Sequence, residues 1–218
     1  MFRRLPMPLL PAPTSFRPAA RRWARRGGAA LAALGAVGLG VCLGLLVTAA
    51  AIRSDAIGTV RVGPWRLFVD AGTPGINPYL RARQARVGNV PIAAAQGLTA
   101  TARTDNAGAM LDARCRYRVS GPVPAAQFWT IEAADMSGRP FVNAAERQGF
   151  TSADVLRDLT GQFTVMLSPE ATSGNWLPLP GTGHFLLVLR LYDTGLANGG
   201  TAGAREASWP SIEALGCL

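Results

Sequence analysis

Residues 109–119, Ala-Met-Leu-Asp-Ala-Arg-Cys-Arg-Tyr-Arg-Val, decide the fold class. Ala109, Leu111, Ala113, Cys115, Tyr117 and Val119 fall on one side of a two-residue repeat, and Asp112, Arg114, Arg116 and Arg118 fall on the other. Successive side chains of a strand point to opposite faces, so the pattern predicts a strand with one face in a core and one in water. Upstream, Leu98 to Thr104 predicts a partner strand, joined through Asp105-Asn106-Ala107-Gly108 as a hairpin. Downstream, Phe128 to Ala134, Gln162 to Ser168 and Phe185 to Tyr192 read as further strands, the last almost wholly apolar and therefore central. Asn77 as N-cap and Pro78 at the first helical position predict a short helix over Tyr79 to Val87, stopped by Gly88-Asn89. A second short helix is expected from Ser152, with Asp154 to Leu159 following. Strands separated by Pro and Gly with few helices predict a mainly β domain, an antiparallel β-sandwich or jelly-roll-like fold with one or two short helices.

The 218-residue chain is 49% hydrophobic and 16% charged, with mean hydropathy +0.18, which excludes a disordered chain and suggests a membrane segment. Every basic residue is Arg, so Schiff-base chemistry and the P-loop lysine are excluded. The net charge of +9 is unevenly placed. Residues 1–27 hold seven Arg and no acid, whereas residues 53–218 hold fifteen Arg against thirteen Asp and Glu. The body of the protein is therefore nearly neutral, and a nucleic-acid partner is not expected. From Gly27 to Ile52 no residue is charged, and 26 residues at about 1.5 Å each exceed a hydrocarbon core of about 30 Å.

Three regions follow: a basic cytoplasmic tail (1–26), a transmembrane signal-anchor helix whose partner is the lipid bilayer (27–52), and an exported domain (53–218). Positive charge on the N-terminal side places that side in the cytoplasm and the C-terminal domain in the periplasm of a bacterium, behind a single pass through the inner membrane. Retention of the anchor is the expectation, and cleavage after Ala51, at the end of an Ala49-x-Ala51 site, is the alternative. Ala36, Gly40 and Gly44 share a helix face that permits a weak homo-oligomer, although any Ala/Gly-rich span contains such spacings. Cys115 and Cys217 would then face an oxidising compartment, where a disulfide and a buried free thiol are both open.

Several segments in order carry a resemblance: NPYLRARQA (77–85), D-x-x-G-x-x-L (105–111), Tyr117, Pro124 with FWT (128–130), NWLP (175–178), LRLY (189–192) and Trp209-Pro210. Together they resemble the bacterial family of domain of unknown function 1214 over most of residues 60–215. The resemblance implies a β-rich jelly-roll-like fold and no activity. Longer members carry a companion domain of unknown function 1254, so the resemblance implies a short, membrane-anchored form lacking that companion. The IEAADMSG segment after FWT departs from the family's aromatic pattern.

Residues that could carry chemistry are few. His184 is the only histidine, no G-x-S-x-G elbow is present, and no Cys/His spacing suits zinc, so no catalytic residue, metal or cofactor is assigned. Glu132 with Asp135, or Asp105 with Asp112, would be the acid pairs of a hydrolase acting on an envelope carbohydrate or ester, the alternative function. The Arg114, Arg116 and Arg118 stripe and Arg81, Arg83 and Arg86 on the short helix read as solvated faces. NWLP offers an amide, an indole and a rigid proline, and with Trp129 and Arg190 it makes a speculative ligand set: Trp129, Asn175, Trp176 and Arg190. The leading expectation is a non-enzymatic binding or interaction module for a glycan, another envelope polymer or a protein. A structural assembly partner of a membrane complex is the further alternative.

Overall fold

A computed structural model describes residues 19–53, 58–87 and 92–217, in two compact units, 1–50 and 51–218. The first unit is dominated by helix α1 (Ala19–Arg53), which begins at Ala19, upstream of the Gly27 boundary expected from composition. Within it Ala30–Arg53 is long and apolar enough to cross a membrane. Its Leu31, Leu34, Val37 and Leu45 side chains stand exposed. By length and composition this helix is a membrane anchor or a signal sequence.

The second unit is a two-sheet β-sandwich. Its elements in chain order are β1 (Val60–Val62), β2 (Trp65–Leu67), α2 (Pro78–Val87), β3 (Gly97–Ala102), β4 (Cys115–Ser120), β5 (Phe128–Asp135), β6 (Gly149–Thr151), β7 (Thr164–Ser168), β8 (Asn175–Pro178), β9 (Phe185–Tyr192), α3 (Leu196–Glu206) and β10 (Ser211–Cys217). Six strands form one sheet in the order β1-β2-β3-β9-β5-β6, and four form the other in the order β10-β4-β7-β8. Phe185, Leu187, Leu189 and Leu191 of β9 are fully buried between them, meeting Tyr117, Val119, Val165 and Leu167 of the smaller sheet. Strand β9 is central, as its apolar run predicts, and pairs with β3 and β5.

From Leu111 to Val119 the alternation holds in burial, with Leu111, Ala113, Cys115, Tyr117 and Val119 inside and Arg114, Arg116 and Arg118 exposed, whereas Ala109, expected on the buried side, is exposed in the turn. It is not one strand, however, and it does not form a long hairpin with its upstream neighbour. The hairpin exists only at its tip, where Asp105 accepts the Ala109 N–H through its carboxylate and donates its own N–H to the Ala109 carbonyl. Beyond the tip, Asp112 makes a turn by accepting the Arg114 N–H on its side chain and the Cys115 N–H on its carbonyl. Residues 103–114 thereby cross from the larger sheet to the smaller, with Ala113 and Phe185 N–H groups bonded to Gly183 and Leu111 carbonyls. Both halves face the same core, so the two-residue period survives the crossing.

Three further departures are local. Residues 152–159 form turns rather than a helix, because Thr151 accepts the Val155 N–H and Asp158 then caps a tight turn with its carboxylate. Strands β7 and β8 pair in parallel within an otherwise antiparallel sandwich. The Gly-rich α3, kinked at Gly200, and the last strand β10 carry weak local signals and are held from outside, through Trp209 Nε1 bonded to the Ala204 carbonyl and β10 paired along β4. Helix α2 begins as expected, with Asn77 Oδ1 accepting the Tyr79 N–H at 2.9 Å, and its Gly88-Asn89 stop lies outside the described residues.

Candidate functional site

The outer face of the six-stranded sheet gathers the richest set of side chains. In β5 the core takes Trp129, Ile131 and Ala133, so Phe128, Thr130, Glu132 and Ala134 face outward; in β9, Leu186, Val188, Arg190 and Tyr192 do the same. Register places Phe128 opposite Tyr192, and Arg190 between Thr130 on β5 and Thr99 on β3. The Phe128 and Tyr192 rings lie 5.8 Å apart, tilted by 45°. One step along the strands Arg190 Nη1 donates to Glu132 Oε1, an ion pair whose side chains are 31% and 18% exposed. Ala134, Leu186 and Val188 form a small buried apolar cluster beyond it.

This face is a platform of rings followed by a neutral pair of opposite charges. The guanidinium has five N–H donors and spends one on Glu132, while the second carboxylate oxygen, the Tyr192 hydroxyl and the Thr99 and Thr130 hydroxyls have no hydrogen-bond partner among the described residues. Donor and acceptor therefore stand side by side beside an apolar ring surface. Tyr192 follows Arg190 by two residues on β9, whereas Phe128 and Glu132 join them only through the pairing of β5 with β9, 58 residues apart at the ion pair. The period-2 alternation in each strand was the available signal, but the register was not.

The four residues of the ligand set are not brought together. Arg190 lies on the outer face. Trp129 turns inward from the neighbouring position, 5% exposed, its ring 5.0 Å from Phe163. Asn175 is buried at the start of β8, where its amide accepts the Leu156 N–H at 2.7 Å and donates to the carbonyls of Leu156 and Thr164. Half-buried Trp176 donates Nε1 to the Ser168 carbonyl at 3.0 Å.

The candidate catalytic groups are engaged elsewhere. His184 is exposed with Nδ1 3.3 Å from the Leu111 carbonyl oxygen, and no hydroxyl is hydrogen-bonded to it among the described residues. Its neighbour Asp112 is clamped by the Arg114 guanidinium at 2.6 Å, and that hydrogen bond holds its pKa down at about 2. Asp135 is held low by hydrogen bonds from the Ser137 hydroxyl and the Arg139 N–H, within a turn. Asp105 is buried in its own turn. In the Arg stripe, Arg114 pairs with Asp112 and Arg118 with Glu213 across β4 and β10. Among the described residues no group of three or more His, Cys, Asp or Glu could hold a metal. Cys115 and Cys217 form a disulfide across the β4–β10 pair, and Cys42 in α1 is free.

Residues 96–195 match the model of the family described as Protein of unknown function (DUF1214), and that segment contains every residue of the outer-face set. Among solved structures, the VPA0106 protein from Vibrio parahaemolyticus is similar over 65% of this chain at 19% identity, with a TM-score of 0.53. An uncharacterised protein from Burkholderia cenocepacia is similar over 56% at 16% identity, with a TM-score of 0.36. The matches span 36% and 30% of those longer chains. The first likeness supports the fold. No curated protein matches this chain.

Proposed function

We propose, for a chain whose residues 96–195 belong to this family of proteins of unknown function, that it is a membrane-anchored binding module of the bacterial envelope whose outer sheet face holds a neutral glycan. In this reading α1 is an uncleaved anchor, the Arg-rich segment before it stays in the cytoplasm, and the sandwich stands on the oxidising side of the inner membrane. The Cys115–Cys217 disulfide supports that side, because such bonds persist in the periplasm and are rare in the cytosol.

The observation that carries the ligand class is the Arg190–Glu132 pair set beside the Phe128–Tyr192 rings. An isolated Arg row would favour an acidic polymer, but here the carboxylate cancels the guanidinium, and the pair offers hydrogen bonds without net charge. A sugar ring laid on Phe128 and Tyr192 would bring its hydroxyls to Arg190, Glu132, Thr130 and Thr99. Asn175 and Trp176 serve this reading by holding β8, away from the ligand.

The test is affinity electrophoresis of the full chain in nanodiscs through gels containing neutral glucans, galactomannan or acidic polysaccharides. Retardation by a neutral glycan is expected, weakened at least tenfold, about 1.4 kcal/mol, in Arg190→Ala and in Phe128→Ala. Both variants should keep the wild-type melting profile within about 1–2 kcal/mol, because both side chains lie on the solvent face. No retardation by any neutral polysaccharide, or retardation unchanged in both variants, would overturn the proposal.

A further inference from the structure

A second site lies at one end of the sandwich, in a cleft of about 360 Å³ between the β4–β5 connection and the turn before β7. Pro122, Val123 and Pro124 line one side, Trp129 and Phe163 are also in the lining, and Arg157 and Gln162 come from the other side. The volume lies in the small-molecule range of roughly 300–1,000 Å³.

One polar group there is unusual. Trp65, Trp176 and Trp209 each donate their indole N–H to a carbonyl, of Pro210 at 2.7 Å, Ser168 at 3.0 Å and Ala204 at 2.9 Å. Trp129, although 5% exposed, donates to nothing among the described residues. Its N–H is not sealed in the core, since Thr172 Oγ1 is the fully buried side-chain polar atom left unpartnered there. The Trp129 N–H is therefore open to a partner from outside the protein, and Trp129 is among the residues that line the cleft.

The second donor is fixed in place. The Arg157 guanidinium sits 5.9 Å from the Trp129 ring centroid and donates Nη1 to the Gly161 carbonyl at 2.9 Å, leaving four of its five N–H groups. Its turn is rigid, because Asp158 accepts the Thr160 N–H, the Thr160 hydroxyl and the Gln162 N–H on one carboxylate oxygen. Asp158 is thus occupied within the turn and makes no ion pair with Arg157. No carboxylate lines the cleft, and Arg157 is the charged side chain in its lining.

We infer that this cleft binds an organic anion with one carboxylate on an apolar body: the carboxylate bridges the Arg157 guanidinium and the Trp129 indole N–H, and the body lies against Pro122, Val123, Pro124 and Phe163. Arg donates to a carboxylate through a planar fork, the stronger class of hydrogen bond, and Pro122, Val123 and Pro124 give the apolar body a surface to lie on. The site shares no side chain with the outer-face platform, so either can exist without the other.

The test uses the full chain in detergent with 5-fluorotryptophan, reading the Trp129 ¹⁹F resonance, assigned through Trp129→Phe. Phenylacetate and cyclohexanecarboxylate are titrated beside their uncharged amides and beside inorganic phosphate. A saturable shift of the Trp129 resonance with the acids, weakened at least tenfold in Arg157→Gln and for the amides, is expected. Absence of a saturable shift with both acids at millimolar concentration, equal responses to acids and amides, or an affinity unchanged in Arg157→Gln would overturn the assignment. A response to phosphate equal to that of the acids would overturn the role given to the apolar wall. Arg157→Gln lies on an exposed turn, so its fold is checked by the unchanged resonances of the other tryptophans.

Discussion

Asn175 shows how a single residue can be both noticeable in the sequence and structural in the fold. Its amide joins three backbone groups of residues 156 and 164, so Asn175→Ala should leave those groups unpaired and cost about 2–4 kcal/mol in urea unfolding; a loss below about 0.5 kcal/mol would contradict this. NWLP marks the residue as exceptional, but its partners lie 19 and 11 residues away, where no local spacing points. The acid turns make a second residue-scale prediction. Asp112 titrates near 2 instead of 3.8 because of its hydrogen bonds with Arg114, and Asp135 and Asp158 are lowered by the Ser137 and Thr160 hydroxyls. A carboxyl with a depressed native pKa binds fewer protons folded than unfolded, so its contribution is complete above about pH 5 and is lost as pH falls toward 2. The melting temperature should be steady from about pH 6 to 5 and then fall; a melting temperature independent of pH down to 2 would contradict it.

At the scale of elements, the strands were legible where one face is buried and the other wet. The 111–119 alternation survives in full, and the apolar run of β9 names the central strand. What alternation lacks is the sheet to which a strand belongs, because both sheets face one core; the turn at Asp112 that separates β3 from β4 is written in a single side chain. The parallel pairing of β7 with β8 is equally silent, since its period is that of an antiparallel pair. Helix α3 exists against its three glycines because Leu196 packs on the sandwich core, Ala204 is fully buried and Trp209 caps its end. Close strand approach can be tested at Gly97, where an added Cβ would press on the Leu191 carbonyl and meet Ile92 Cγ2 at 3.3 Å. Gly97→Ala should therefore destabilise β3–β9 pairing by about 1–3 kcal/mol, read as a lower urea midpoint; an unchanged midpoint would show that this edge yields.

For the whole molecule, charge asymmetry and one long apolar helix were legible from composition alone, and they frame everything proposed about location. The outer-face set was not, because it depends on β3, β5 and β9 coming into register from three separated parts of the chain. The disulfide joins sequence positions 102 apart and ties the last strand to β4. On the chain-entropy account, a closed loop of that size stabilises by roughly 4–5 kcal/mol, so Cys115→Ser should unfold at markedly lower urea. The bond also reports the compartment. The most direct measurement is thiol mass-tagging of the full chain from cells quenched with acid, denatured and treated with a maleimide polymer, with and without prior reduction. The anchored, extracytoplasmic reading predicts one tag, on Cys42, before reduction and three after it. Three tags without reduction would put the sandwich in a reducing compartment and contradict the account.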